Sequence, residues 1–560
     1  MTKKILSLLL VFITIAIINS CTKLKEKVLD ESSVAGLTPR QQAEGITVPV
    51  YAKLEDVFMH TNYFDLQEIS TDEAILPFRG GTDWGDNGIY MQMHKHETIS
   101  SDANIRSTWT NILIGLSRAV TAINALPTNP DPNAKVFLAE ARGMRAYYSL
   151  LTLDLFGLVF KKEDPSATSI ILRGEEAIAY IKSELLAIEP LLDNSTGTGR
   201  ITKAAVQGLL VRLYLNAAVY RDFYASSFTF KTEDMDKAIE YCDKIIATTQ
   251  YSLAPDYFSM FNDNNHTNPE IIFAVDQRFD LNGHNRMAYF SLSGDQYPLA
   301  AWPTANGTDG PAITPEFYRT WVNAYAPVDP AAADPRFYKK NLIIPVDSCL
   351  PAAQYNIDRG ILRGQQYGML RNGTRCANGN LKITKLFNCS RLSGAGCAIP
   401  VNFTEQVDYT VAGSGYSTGY RVEKYEFSKT SETGRNKAEH DIVILRLADI
   451  YLMRAEAKLR KGGADASALA DVNLVRASRT ATTPAPPLPA ISLDILFRER
   501  GFEFYWEMVR RTDMIRFGKY EGTWTEKTST DKQKRLFPIP QTAIDAASNL
   551  PGYLIQNPGY

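Results

Sequence analysis

His440 to Arg460 reads HDIVILRLADIYLMRAEAKLR, and together with residues 461 to 479 it decides the frame of this chain. The stretch reads as a helix, Gly462-Gly463 as a turn, and Ala464 to Arg479 as a second helix folded back on the first. Each helix pair of this kind must stack on a neighbour to bury its apolar face. A Pro-rich segment, ATTPAPPLPA (481 to 490), follows as a stiff exposed loop, and Ser492 opens another helix expected to run through about Phe517.

Working outward toward the N-terminus, the same periodicity returns. Residues 135 to 157 place Phe137, Ala141, Met144, Tyr147 or Tyr148, Leu151 and Leu155 at helical spacing. A helix at about 174 to 192 is started by Gly174-Glu175-Glu176, with early acidic charge that suits a helix N-terminus, and stopped by Pro190. Another runs from Thr202 to about Val219. The next, Thr232 to Thr248, gathers Ala238, Tyr241, Cys242, Ile245 and Ile246 on one face, and its MDKAIEYCDKII resembles the second helix of a tetratricopeptide repeat. Both halves therefore supply one repeat-like scaffold, at about 42–250 and 440–520, which argues for a single unit over 42–560. Between about 60 and 100, and again between about 250 and 440, the helical period gives way to short alternating segments rich in Asn, Gly and Pro. Excursions held by a rigid frame are where binding residues concentrate.

Lys3 and Lys4 precede an apolar run of fourteen residues, Ile5 to Ile18, and Ile18-Asn19-Ser20-Cys21 closes it. A spanning helix needs about 20 apolar residues, so residues 1–20 read as a secretory signal with a lipidation box and Cys21 as the acylated N-terminus. A diacylglycerol plus an amide-linked acyl chain makes such an anchor stable. Residues 21–41 are then a flexible tether. The mature chain carries 58 basic and 62 acidic side chains, a net charge of −4, and no Lys/Arg run longer than two. Nothing here suits nucleic acid, which needs concentrated positive charge.

Besides Cys21 there are Cys242, Cys349, Cys376, Cys389 and Cys397. The last four fall within 49 residues of an exported chain, so one or two disulfides are expected among them. No Cys-x2-Cys occurs and no histidine lies between 349 and 397, so metal spacing is absent. Cys242 reads as a buried free thiol.

Several segments are similar to one family. AEARGMRAYYSLLTLDLFG (139 to 157), ITKAAVQGLLVRLYL (201 to 215), LRLADIYLMRAEAKLRKGGADASALADVNLVRASR (445 to 479), ILFRERGFEFYWEMVRRTDMIRFGKY (495 to 520) and LFPIPQTAIDAASNLPGYLIQNPGY (536 to 560) resemble the SusD/RagB family, in order and spacing. TDEAILPFRGGTDWGDNGIYMQMHKHETIS (71 to 100) resembles the loop after its first helices. The resemblance implies an all-α (mainly α) fold of tetratricopeptide-like helix pairs with irregular excursions and minor β. It also implies a lipid-anchored outer-membrane protein facing the cell surface, partnered with a SusC-like TonB-dependent transporter and binding oligosaccharide. It implies no catalysis and no cofactor. Some members bind peptides instead.

A sugar presents a C–H face and a rim of hydroxyls, so its binder needs aromatic plates edged by planar polar groups. RGGTDWGDNGIY (79 to 90) offers Arg79, Asp83, Trp84, Asp86, Asn87 and Tyr90 in a Gly-rich loop. In the family's glycan binders a Trp in this excursion stacks on the ligand, and Trp84 is the best match. Tyr289 to Tyr325 holds eight aromatics in 37 residues. Phe317, Tyr318 and Trp321 have helical spacing and read as core. Trp302 sits among turn residues, so Trp302 and Tyr297 are the expected partner plates, with Asn306 and Asp309 as polar candidates.

His94 and His96, at i and i+2, would share a strand face but have no third ligand nearby. Glu499, Glu503 and Glu507, interleaved with Arg498, Arg500, Arg510 and Arg511, read as a salt-bridged helix face rather than a glycosidase pair. No Gly-x-Ser-x-Gly turn of a nucleophile elbow and no phosphate-binding loop is expected. The sequence thus predicts a non-catalytic glycan binder. A binder of peptides or another oligomeric nutrient is the alternative, and a glycoside hydrolase using Asp83 or Asp86 a remote one.

Overall fold

The computed structural model describes residues 36–560, apart from 82, 278–285, 343–345, 372, 374, 390–396, 408, 411–412, 431–437 and 464, and apart from the side chains of Cys389, Cys397 and Ala398. The signal and Cys21 lie outside the described residues. Helices dominate, and every sheet among the described residues is a small antiparallel one of two or three strands.

The scaffold begins earlier than the sequence suggested. Thr38 caps the helix Pro39–Val57 through a reciprocal capping box with Gln41, so the last residues assigned to the tether are already helical. A second helix, Ala103–Ala125, is capped by Asp102. Each helix then packs on the next: Pro39–Val57 on Ala103–Ala125, that on Ala134–Phe156, then Gly174–Ile188, Lys203–Arg221 and Thr232–Ala247. Ala134–Phe156 and Lys203–Arg221 are buried nearly all round, as helices covered on several sides must be. Thr232–Ala247 is amphipathic, burying Met235, Ala238, Tyr241, Cys242 and Ile245. Its apolar face meets Leu447–Lys461, some 200 residues further on, and Leu447–Lys461 in turn pairs with Asp465–Ala477 and Leu493–Phe504. The stack is therefore continuous across both halves of the chain. One core runs through it from Ala43 to Ile539, with a smaller one of Ala448, Leu452, Ala455, Val472, Val475, Leu496 and Phe504.

Two expected helices are shorter. Residues 442–446 form a strand, paired antiparallel with Ile271–Val275, and the helix starts at Leu447. The helix expected through Phe517 breaks into Leu493–Phe504 and Arg510–Arg516. Trp506 and Met508 between them take positive φ (64° and 60°), and the Trp506 amide donates to the Glu73 carboxylate at 2.7 Å. Glu507 therefore leaves the face shared by Glu499 and Glu503.

Glu499, Glu503 and Glu507 are buried, and most of their partners come from far away. Arg446 donates to Glu270, Glu503 and Glu507 at 2.6 to 2.8 Å, while Arg479 holds Glu270 and Glu503 and Arg336 reaches Asp334, Glu499 and Glu503. Burial alone would raise the Glu503 carboxyl, but Arg479, Arg446 and Arg336 hold it well below the usual range. This network ties the middle of the chain to the C-terminal helices. Breaking such a buried pair costs about 3–5 kcal/mol.

Candidate functional site

The first excursion makes a tight turn. Arg79 and Asp83 exchange both backbone hydrogen bonds, at 2.8 and 2.9 Å, and Gly80 and Gly81 between them have φ of +58° and +69°. A second loop docks on this turn: Ser414 donates its amide to Phe78, and Gly80 donates to Ser414. The ring of Tyr416 lies against Gly80 so closely that an added Cβ would sit 2.4 Å from it, and the Tyr416 hydroxyl donates to Asp83 at 3.0 Å. Arg79 does not face solvent. Its guanidinium is buried and donates to the carbonyls of Gly310, Gly415 and Thr418, stitching three loops together.

The second excursion folds back on itself at the same place. The amides of Thr308, Asp309 and Gly310 donate to the carbonyls of Tyr289, Leu292 and Phe290. Gly307 is pressed to within 2.1 Å, at the Cβ position, of the Leu292 carbonyl. Asp309, with φ of +52°, is buried and accepts from Arg421 at 3.0 Å. Burial pushes its carboxyl up, against the pull of Arg421 and Arg79.

Between these loops lies a cavity of about 510 Å³, lined by Gly80 and Asp83, by residues 293–295 and 307–309, by Tyr416, Ser417 and Thr418, and by Arg371, Asn388 and Ile399. Its size falls in the range of roughly 300–1,000 Å³ usual for small-molecule sites. Carboxylates, hydroxyls and an amide alternate around it with Arg371, which pairs with Asp295 at 3.4 Å. Ser293 donates to Asn388 at 3.3 Å. Such walls match a ligand with many hydroxyls, each of which both donates and accepts.

The structure brings Asp83 and Asp309 into this cavity and leaves the other expected residues off its lining. Trp84 is half-buried behind the wall. Its indole N–H donates to the Thr308 carbonyl at 2.8 Å, and its ring is edge-on to Phe290, Tyr90 and His60, at 5.1 to 5.8 Å. Tyr90 is buried beneath it. Asn306 sits behind Gly294, and Asn87 stands exposed at the loop tip, as does Asp86. Tyr297 is a correction: it is 0% exposed, donating to Ala288 and packed against Tyr289 and Phe427, so it offers no plate to a ligand. Turn-rich sequence around it gave no hint that Tyr289 and the distant Phe427 close over it. Trp302 is half-buried outside the cavity lining, against Tyr355 and Phe427, with Lys429 over its ring at 5.6 Å. Tyr416, Arg371 and Asn388 were not anticipated. Only the GSGYSTGY run (413 to 420), a tyrosine among glycines and hydroxyls, resembles the signal that singled out Trp84.

The same run corrects a second expectation, because Gly415-Tyr416-Ser417-Thr418-Gly419 does carry Gly-x-Ser-x-Gly spacing. A nucleophile elbow places its serine between a strand and a helix. Here the strand Arg421–Glu423 comes after the serine, the Ser417 hydroxyl donates to the Pro400 carbonyl at 3.5 Å, and the cavity lining includes no histidine.

Elsewhere, Phe317, Tyr318 and Trp321 are buried on the helix Pro315–Tyr325. His94 and His96 lie on the helix Ile89–Lys95 and its C-cap, not on a strand. Both bond to backbone carbonyls, of Ile69, Thr525 and Ser70, and burial lowers both imidazoles. Among the described residues no three His, Cys, Asp or Glu side chains are grouped to hold a metal. Cys349 and Cys376 form a disulfide, Cys242 is a buried thiol raised by that burial, and the backbones of Cys389 and Cys397 are cross-strand neighbours.

A frame of stacked helix pairs carrying long loop excursions and small sheets is the architecture this chain shares with the proteins it resembles. Residues 401–560 match the model of the SusD family. The chain is 28% identical to the starch-binding protein SusD of Bacteroides thetaiotaomicron, over 89% of this chain and 85% of that one. Among solved structures it superposes on a SusD superfamily protein from Parabacteroides distasonis with a TM-score of 0.66, at 18% identity, covering 94% of this chain and all of that one. It also superposes on surface glycan-binding protein A from B. thetaiotaomicron in complex with laminarihexaose, with a TM-score of 0.63, at 20% identity, covering 92% and 99%. The SusD/RagB resemblance read from the sequence is thereby shown. Among the described residues, no helix is long and apolar enough to cross a membrane.

Proposed function

We propose that this chain is a non-catalytic, lipid-anchored outer-membrane protein that binds oligosaccharide in the cavity between residues 79–83, 293–309 and 414–418. In this reading it delivers the sugar to a SusC-like TonB-dependent transporter. The observation that carries the reading is that both excursions, more than 200 residues apart, converge on one polar cavity with an aromatic ring at its edge. Tyr416 supplies the plate, Asp83 and Asn388 bond to ring hydroxyls, and Trp84 supports the wall through Thr308. Asp309 is held by Arg421 and shapes the site. The starch- and laminari-oligosaccharide-binding proteins that this chain resembles make glucans the first ligands to try.

Native gels cast with a panel of polysaccharides test this reading. Retardation by at least one glycan is expected, and Tyr416→Ala should abolish or weaken it while leaving the circular dichroism spectrum unchanged. No retardation by any glycan would refute the reading, and release of reducing ends by the purified protein would make it an enzyme. Labelling with radioactive palmitate, lost in Cys21→Ala, tests the anchor. Co-purification with a large β-barrel protein from detergent-solubilised membranes tests the transporter partnership.

A further inference from the structure

A second, larger cavity of about 740 Å³ lies beside the first and shares none of its lining residues. Three tyrosines line it. Tyr338 has its hydroxyl fixed on Asp358 at 2.5 Å, and Tyr420 is locked edge-on to Tyr318 with ring centroids 4.7 Å apart. Tyr367 is 45% exposed, a large aromatic presented to solvent at the cavity wall.

Of the cavity's charged side chains, Arg363 and Asp358 are engaged within the fold, while Lys340 stands exposed at the wall. Arg363 is spent on Asp329, at 2.8 and 3.1 Å, and on the Tyr318 hydroxyl. Asp358 accepts from Tyr338 and from the amides of Asn341 and Leu342. Gln365 and Gln366 each donate their side-chain N–H groups to two backbone carbonyls, leaving amide oxygens to accept from a ligand. Rigid aromatic plates edged by amide acceptors, with the Lys340 ammonium as a further donor at the wall, suit a hydroxyl-rich ring.

We propose that this cavity is a second oligosaccharide site, an inference that rests on the glycan-binding reading above. The two cavities meet at one loop: Thr418 lines the first and Tyr420 the second, so those Cα atoms are at most about 7 Å apart. A long glycan chain would engage both sites at once and gain avidity, while a short one would fill each separately.

The test is calorimetric titration of the full mature protein with short neutral oligosaccharides, maltoheptaose and laminarihexaose among them, followed by the matching polysaccharide. Two sites per chain are expected. Tyr416→Ala should leave one, and Tyr367→Ala, at an exposed position that folding does not need, should leave the other. Each variant should weaken polysaccharide binding by about tenfold or more. A single site lost in Tyr416→Ala and untouched in Tyr367→Ala overturns the second site and leaves the first. A single site lost only in Tyr367→Ala supports the second and overturns the first. No binding of any glycan overturns both.

Discussion

Replacing Glu456 by Gln should destabilise the protein in a way that depends on pH. Glu456 is fully buried on the helix Leu447–Lys461 and accepts from Arg516 through both oxygens, at 2.7 and 2.8 Å, and from Arg460 at 2.7 Å. Burial works to raise its carboxyl, yet Arg516 and Arg460 outweigh it and hold it at about 2, against an ordinary 4.5. That depression corresponds to about 3 kcal/mol favouring the charged form in the fold. A glutamine keeps the shape but turns an amide N–H₂ toward a guanidinium, and breaking a buried pair independently predicts about 3–5 kcal/mol. Because the folded value is depressed, this stability is fully present above the unfolded value and is lost as pH falls from about 4.5 through 2. Urea unfolding of wild type and Glu456→Gln, repeated from pH 7 down to pH 3, should show a gap of about 3 kcal/mol that narrows below pH 4.5. A gap under about 1 kcal/mol at pH 7, or one that stays constant across that range, would refute the assignment.

Ala455→Glu puts an unpaired carboxylate into the small core of Val472, Leu496 and Phe504, at a position with no exposure. It should cost several kcal/mol, and an unfolding midpoint equal to wild type would show that this face is not core. Gly80→Ala drives a Cβ into the Tyr416 ring at a φ of +58°. It should reduce retardation by the bound glycan at least several-fold with the helical spectrum intact; unchanged retardation would remove Tyr416 from the site. Cys349→Ser opens a disulfide that spans 27 residues. A loss of about 3–4 kcal/mol is expected from chain entropy, and a variant as resistant to urea as the oxidised wild type would contradict that.

Much of the frame was legible from residues alone. A 3.6-residue apolar period is a local property, so the helices at 135 to 157, 202 to 219 and 232 to 248 could be read one at a time. On the face read as Ala238, Tyr241, Cys242, Ile245 and Ile246, all are buried but Ile246, which is half-buried. The boundaries that failed are those set by distant partners. Residues 442–446 are a strand because Ile271–Val275 lies beside them, and Trp506 turns out of the helix where the Glu73 carboxylate takes its amide.

The site divides in the same way. Composition by itself marked the excursions from which the proposed site is built, since Gly-, Asn- and aromatic-rich loops cannot bury themselves by periodicity. Which aromatic would be buried was decided only by tertiary structure. Tyr297 and Tyr90 vanish into the core because other loops cover them, while Tyr416 comes to the cavity edge because residues 78–80 and 414 share hydrogen bonds across more than 300 residues of chain. The charges of 499–507 behave alike: their residue types predicted ion pairs, but Arg336, Arg446 and Arg479 became partners only when folding brought them into one desolvated space. Local sequence specifies backbone conformation over a few turns, whereas burial and pairing depend on segments whose arrival no local pattern encodes.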